Sequence, residues 1–125
     1  MKPRIMYLES KASDEAHIGR VTFSKTGQTI YYRDRAFHKI PGGGISANYR
    51  EETTGVEFWI SGPKKDGKDR LFRQRVPVEI DDDVREEYWT QIRNQPDEAK
   101  RKTEPVVTAN SGQSPSWLSL NVARR

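Results

Sequence analysis

The chain has no cysteine, and its 125 residues include only two histidines, His17 and His38. Without thiols there are no disulfides, no thiolate metal ligands and no cysteine nucleophile. Two histidines cannot build a three-histidine zinc site. Leucine is scarce, with four residues against sixteen valines and isoleucines together. Helical bundles draw on leucine and alanine, whereas β-branched side chains suit a pleated, half-buried surface. No apolar run approaches the ~20 residues of a membrane-spanning helix. Residues 1–10 lack the uninterrupted apolar stretch of a secretory signal. The length suits one domain and excludes a (β/α)8 barrel. From these absences we expect a cytoplasmic chain with no membrane partner, no metal and no cofactor.

Charge is what the sequence has in quantity. Charged residues make up 32% of the chain, with 22 basic and 18 acidic side chains for a net charge of +4. A typical domain has ~25%. The implied core is thin and its surface heavily solvated. The charge is uneven along the chain. Residues 1–80 carry 15 basic and 10 acidic side chains, residues 81–95 carry 2 and 5, and residues 96–125 carry 5 and 3. Aromatics stop early: only Trp117 lies beyond residue 95. A segment this polar buries too little apolar surface to offset its ordering entropy. Residues 97–125 therefore read as a disordered tail, in which Trp117, Leu118 and Leu120 would at most form a short apolar hook.

Within 1–96 the dominant pattern is period-two alternation. Arg4–Glu9 reads as a first strand whose inner face is ambiguous. Ile18–Ser24 points Val21 and Phe23 one way. Ser24 to Gln28 is a hairpin signal with Gly27 at the position needing positive φ. Thr29–Arg33 turns tightly at Arg33-Asp34-Arg35 into Ala36–Ile40. Ser46–Arg50 aligns Ala47 with Tyr49, and Glu52 to Gly55 is a further turn. Val56–Ser61 sets Val56, Phe58 and Ile60 opposite Glu57 and Trp59. Arg70–Phe72 reads as a short strand. In Val76–Ile80, Pro77 restricts the strand to an edge or a strand start. A helix is predicted over 83–94, capped by Asp83 with Glu86 at the third position, and with Val84, Tyr88 and Ile92 on one stripe. Pro96 supplies the stop. The predicted fold is mainly β (α+β), a small antiparallel five- or six-stranded barrel, SH3-like, with one C-terminal helix. Its core is expected to hold Val21, Phe23, Ile30, Tyr32, Phe58, Ile60, Val78 and Tyr88.

Several segments resemble an uncharacterised family of small bacterial proteins. They are Gly19 to Lys25, Ile30-Tyr31-Tyr32, Ala47-Asn48-Tyr49, Glu57 to Gly67 and, most of all, Val78 to Trp89. The resemblance covers about residues 4–96 and implies a bacterial origin. Some relatives carry the name 1-deoxy-D-xylulose-5-phosphate synthase. A thiamine-diphosphate enzyme needs a far longer chain and a Gly-Asp-Gly motif, so this sequence does not support that name. No catalytic residue is carried over.

The candidate chemistry is sparse. Pro41-Gly42-Gly43-Gly44 lacks the downstream Gly-Lys-Ser/Thr of a phosphate loop and reads as a strand connection. Asp81-Asp82-Asp83 reads as a helix cap before a cation site. His38 reads as a hydrogen-bonded surface histidine before a general base. The informative constellation is positional. On the faces turned from the core stand Arg20, Tyr31, Arg33 and Trp59, and a basic loop adds Lys64 and Lys65. Aromatics interleaved with cations suit a protein-interface hot spot and also base stacking with phosphate contact. A third reading has the helix cover Trp59, with Tyr88 or Trp89 against it. The expected function is a non-enzymatic binding module for a protein partner. The alternatives are a nucleic-acid-binding small barrel and, third, an enzyme of unknown reaction.

Overall fold

A computed structural model describes residues 2–42, 47–69 and 77–104. Eight strands form one sheet: β1 (Arg4–Ser10), β2 (Ala16–Phe23), β3 (Thr29–Tyr32), β4 (Arg35–Lys39), β5 (Tyr49–Glu51), β6 (Glu57–Ser61), β7 (Val78–Ile80) and β8 (Thr103–Glu104). Each of the first five pairs antiparallel with the next in sequence. β6 then returns to β1, with Tyr7 opposite Ser61 and Ser10 opposite Phe58. The result is a closed six-stranded antiparallel barrel, two extra strands and one short helical segment.

Turn chemistry fixes the register. Gly27 (φ 77°) and Gly55 (φ 75°) supply left-handed residues at two of the hairpins. Arg33 takes the same region (φ 56°) in the two-residue turn between β3 and β4. Where β5 has not yet begun, the Asn48 side chain continues its ladder. Its Nδ2 donates to the Ile60 carbonyl and its Oδ1 accepts from the Ile60 N–H, both at 2.8 Å.

Alternation then sorts side chains in and out. Met6, Leu8, Val21, Ile30, Tyr32, Phe37, Phe58 and Ile60 fill the barrel. Phe37 and Phe58 meet edge to face with centroids 4.9 Å apart. Of the eight residues expected in the core, seven are buried and Phe23 is only partly so. Phe23 is the last residue of β2, where the barrel opens to solvent.

A second core lies outside the barrel. Ile5 and Tyr7 of β1, Ala16 and Ile18 of β2, and Val78 and Ile80 of β7 bury against Val84, Tyr88 and Trp89. The last three belong to α1, residues 82–92. It starts as a 3-10 turn, passes through one α turn and ends in a wider π turn. β1 is buried on both faces, which is why its inner face could not be chosen from the sequence. β2 is shared: His17 and Ile18 pair parallel with β7, while Thr22 and Phe23 pair with β3. Gly19 sits between these stretches. A Cβ there would stand 2.4 Å from the Tyr32 ring and 2.6 Å from Asp81 Oδ2, so the close approach requires glycine.

Three expectations need correction. The residue preceding the helix is Asp81, not Asp83, and neither side chain caps it. Asp81 instead accepts from Tyr32 Oη at 2.7 Å and Arg33 at 2.6 Å, which ties α1 to the barrel. The helical segment ends at Ile92 rather than 94. The folded unit does not stop at 96. A 3-10 turn (Pro96–Glu98) leads to β8, which pairs with β7 and buries Glu104. That carboxylate accepts from Tyr88 Oη and from Arg93 Nε. The strand expected at Arg70–Phe72, the start of β5 at Ser46 and the remainder of the tail, including Trp117, lie outside the described residues.

Three outcomes are expected in denaturant melts. Phe58→Ala leaves a cavity under Phe37 and should cost ~3–5 kcal/mol. Glu104→Ala strands a largely buried Arg93 guanidinium and should also cost ~3–5 kcal/mol. Glu98→Ala removes only the exposed pair with Arg101 and should change stability by less than about 1 kcal/mol. Equal effects at 98 and 104 would mean that β8 is not part of the cooperative unit.

Candidate functional site

The six candidate residues do not form one surface. β3 and β6 are three places apart in the ring of six, so Tyr31 and Trp59 point outward on opposite sides of the barrel. Tyr31, opposite Thr22 and Ala36, is 45% exposed. It is the one large hydrophobic side chain exposed among the described residues. Trp59 is half-buried against the second core, which holds Tyr88 and Trp89, and its Nε1 donates to Ser61 Oγ at 3.1 Å.

Arg20 and Arg33 lie nearer Tyr31 but are engaged by the acidic start of α1. Arg20 donates to Glu87 at 2.8 Å and stands 3.9 Å from Asp83. Arg33 is paired with Asp81 and lies over the Tyr32 ring, 4.9 Å from its centroid. The Arg20 guanidinium holds its proton more tightly than usual, chiefly through the Glu87 hydrogen bond. Both arginines line an open depression of about 770 Å³ between β2, β3, α1 and β8. Arg85 is also there, paired with Asp82 at 2.5 Å. Lys102 completes the set of cations and pairs with no carboxylate among the described residues. Cations and carboxylates alternate around the rim, so it offers no uniformly positive face.

Burial of the Tyr32 phenol and its hydrogen bond to Asp81 push its pKa far up, so it acts as a fixed donor. The three aspartates contribute to ion pairs and the Tyr32 bond. Among the described residues no three His, Asp or Glu side chains converge as metal ligands. His38 is exposed on β4, 3.0 Å from Thr29 Oγ1 and 2.7 Å from Glu52. Of the Pro41–Gly44 segment, Gly43 and Gly44 fall outside the described residues.

Lys64 and Lys65 sit in the exposed loop after β6, remote in sequence and topology from Tyr31. That loop is anchored from beneath. The Lys64 N–H donates to Asp69 Oδ1 at 2.8 Å, and the Lys65 carbonyl accepts from Arg93 at 3.1 Å. Gly67 (φ 73°) turns directly over the Arg93–Glu104 pair.

The sequence reading missed a second polar group at the opening of β2. Arg35 lies 5.1–5.3 Å from the centroids of Phe58 and Phe37 and donates to Glu15 at 2.6 Å. Glu15 in turn meets His17 at 3.0 Å. Burial alone would raise the Glu15 carboxyl, but the Arg35 hydrogen bond and charge, with His17, hold it below its ordinary value. Only the histidine's rarity marks this group in the sequence.

With this geometry in view, comparison with known proteins adds no relative: no family model, curated protein or solved structure matches the chain.

The loop yields a pH test. Burial pushes the Asp69 carboxyl up to about 6, against the lowering effect of the Lys64 N–H bond and charge, with Glu104 and Asp66 adding to the rise. The folded value exceeds the ordinary 3.8, so between the two values the folded chain keeps a proton that the unfolded chain has lost. This group's contribution to stability is therefore full below pH ~4 and is lost as pH rises through ~6. Asp69→Asn keeps the acceptor for Lys64. It should be more stable than the parent at pH 7, by at most about 3 kcal/mol. The gain should vanish in melts at pH 4; a gain independent of pH would place its origin elsewhere.

Proposed function

We propose that the chain is a bacterial, SH3-like small-barrel module that engages a protein partner without chemistry of its own, through the outer face of β3 and its flanking arginines. The observation that carries this reading is Tyr31. An aromatic ring left 45% exposed on an ordered strand is what interface hot spots use. Beside it stand alternating cations and carboxylates, which favour a partner carrying both signs. The family resemblance is what supports the bacterial part of this reading.

A nucleic-acid partner is the second reading, motivated by the same ring and by the basic excess over residues 1–80. It is weakened by the Asp81, Asp83 and Glu87 carboxylates beside Arg33 and Arg20, which repel phosphate. Trp59 cannot share a strand of bases with Tyr31 from the far side of the ring.

Affinity capture followed by mass spectrometry tests the proposal. A defined protein should be recovered, and Tyr31→Ala should weaken its binding by ~2 kcal/mol or more. The same variant should melt within about 0.5 kcal/mol of the parent, because the ring is a surface group. Recovery unaffected by Tyr31→Ala would overturn the reading. Co-purified nucleic acid whose binding depends on Tyr31 and falls steeply with salt would replace it with the second.

A further inference from the structure

His17 borders a cavity of about 450 Å³ between the opening of β2 and strands β7 and β8, and its ring lies 5.7 Å from that of Tyr32 in the barrel core. Its walls include Glu15, Ala16, Pro77, Glu79 and Thr103. The histidine is only 7% exposed. Its Nε2 lies 3.0 Å from Glu15 Oε2, the oxygen that also accepts from Arg35. Glu15 is held ionised by those neighbours and can only accept. The proton of that contact therefore belongs to Nε2. In a neutral imidazole the other nitrogen is then a bare lone pair.

That nitrogen, Nδ1, has no hydrogen-bond partner among the described residues. The nearest polar atom recorded for it is Glu79 Oε1, 3.4 Å away. With a neutral imidazole, two acceptors face each other at one cavity, and one belongs to a side chain more than nine-tenths buried. A buried acceptor without a donor is costly. The site calls for N–H groups, and the three carboxylates of its lining, Asp14, Glu15 and Glu79, call for positive charge. Ala16 and Pro77 add apolar wall, which suits an aliphatic stem.

We propose that this cavity binds the cationic head of a lysine or arginine side chain presented by a partner protein, donating to His17 Nδ1 and Glu79 while its stem lies along Ala16 and Pro77. This deepens the protein-partner reading and rests on it for the source of the side chain. The cavity itself uses none of the residues around Tyr31.

The test is NMR of the full chain labelled with 15N at histidine, where only two imidazoles report. The probes are N-acetyl-arginine amide, N-acetyl-lysine amide and the uncharged N-acetyl-norleucine amide. The cationic probes should shift the His17 Nδ1 resonance saturably at millimolar concentration, while norleucine leaves it unmoved and His38 stays constant. The ligand-free protein should show Nε2 protonated and Nδ1 bare. Glu79→Gln changes a side chain that is 69% exposed. It should keep the parent melting temperature and weaken the cationic probes about tenfold. The proposal is overturned by equal response to norleucine, by no saturable shift at His17, or by a doubly protonated His17 at pH 7 without ligand. Since no probe touches Tyr31, failure here leaves the Tyr31 capture experiment to stand on its own, and loss of the Tyr31 result leaves this one intact.

Discussion

Two strands of this barrel are apolar on both sides, and the rest of the molecule is arranged around that fact. Closing a six-stranded ring hides only the inner faces. Ile5 and Tyr7 on β1, with Ala16 and Ile18 on β2, would remain on the outside as a hydrophobic patch. β7 and α1 cover it, and β8 holds them in place through Glu104. Beside the β2–β7 pairing and the Arg20–Glu87 bridge, the cover meets the barrel at a close seam. There Gly19 lets the Tyr32 ring and Asp81 come together across β2. A side chain at 19 would separate the two cores at their seam.

This arrangement decides what could be read from the sequence. β3 and β6 alternate cleanly because only their inner faces are fully buried, and both were assigned with the right side inward. β1 gave no preferred face because it has two buried ones. β8 has two residues, neither apolar, and its place is set by Tyr88, Arg93 and β7 rather than by local pattern. The aspartates before the helix read as a cap because their spacing is that of a cap. The competing use of Asp81 depends on Tyr32, 49 positions away. Whether the candidate binding residues share a surface is not legible for a different reason. Alternation says whether a side chain points in or out, but not where around a ring it points out. Tyr31 and Trp59 share a sign and not a surface. The His17 cavity was illegible because it needs the parallel pairing of β2 with β7.

The net charge of +4 overstates the positive surface. Arginine serves largely as a structural residue here. Arg35 lies against Phe37 and Phe58 and holds Glu15; Arg93 holds Glu104 and faces the Trp89 ring; Arg20 and Arg33 fasten the start of α1. A planar guanidinium can bind a carboxylate and stack on an aromatic ring at once, which lysine cannot. Recognition through this molecule is thus a matter of a few groups left unmatched rather than of its overall field.

The meander order of the ring also dictates when it can exist. Five of its six strand pairings join neighbours in sequence and need only short loops. The sixth brings Tyr7 to Ser61, which makes it the longest-range closure of the barrel and its most costly single loop. During synthesis β1 has a hairpin partner early but no second neighbour until β6 has left the ribosome. Its outer apolar residues wait longer still, for α1 and β8. The first strand of the barrel to be made is the last to be fully enclosed, and until then its unpaired edge and bare apolar face are what the growing chain exposes to its surroundings.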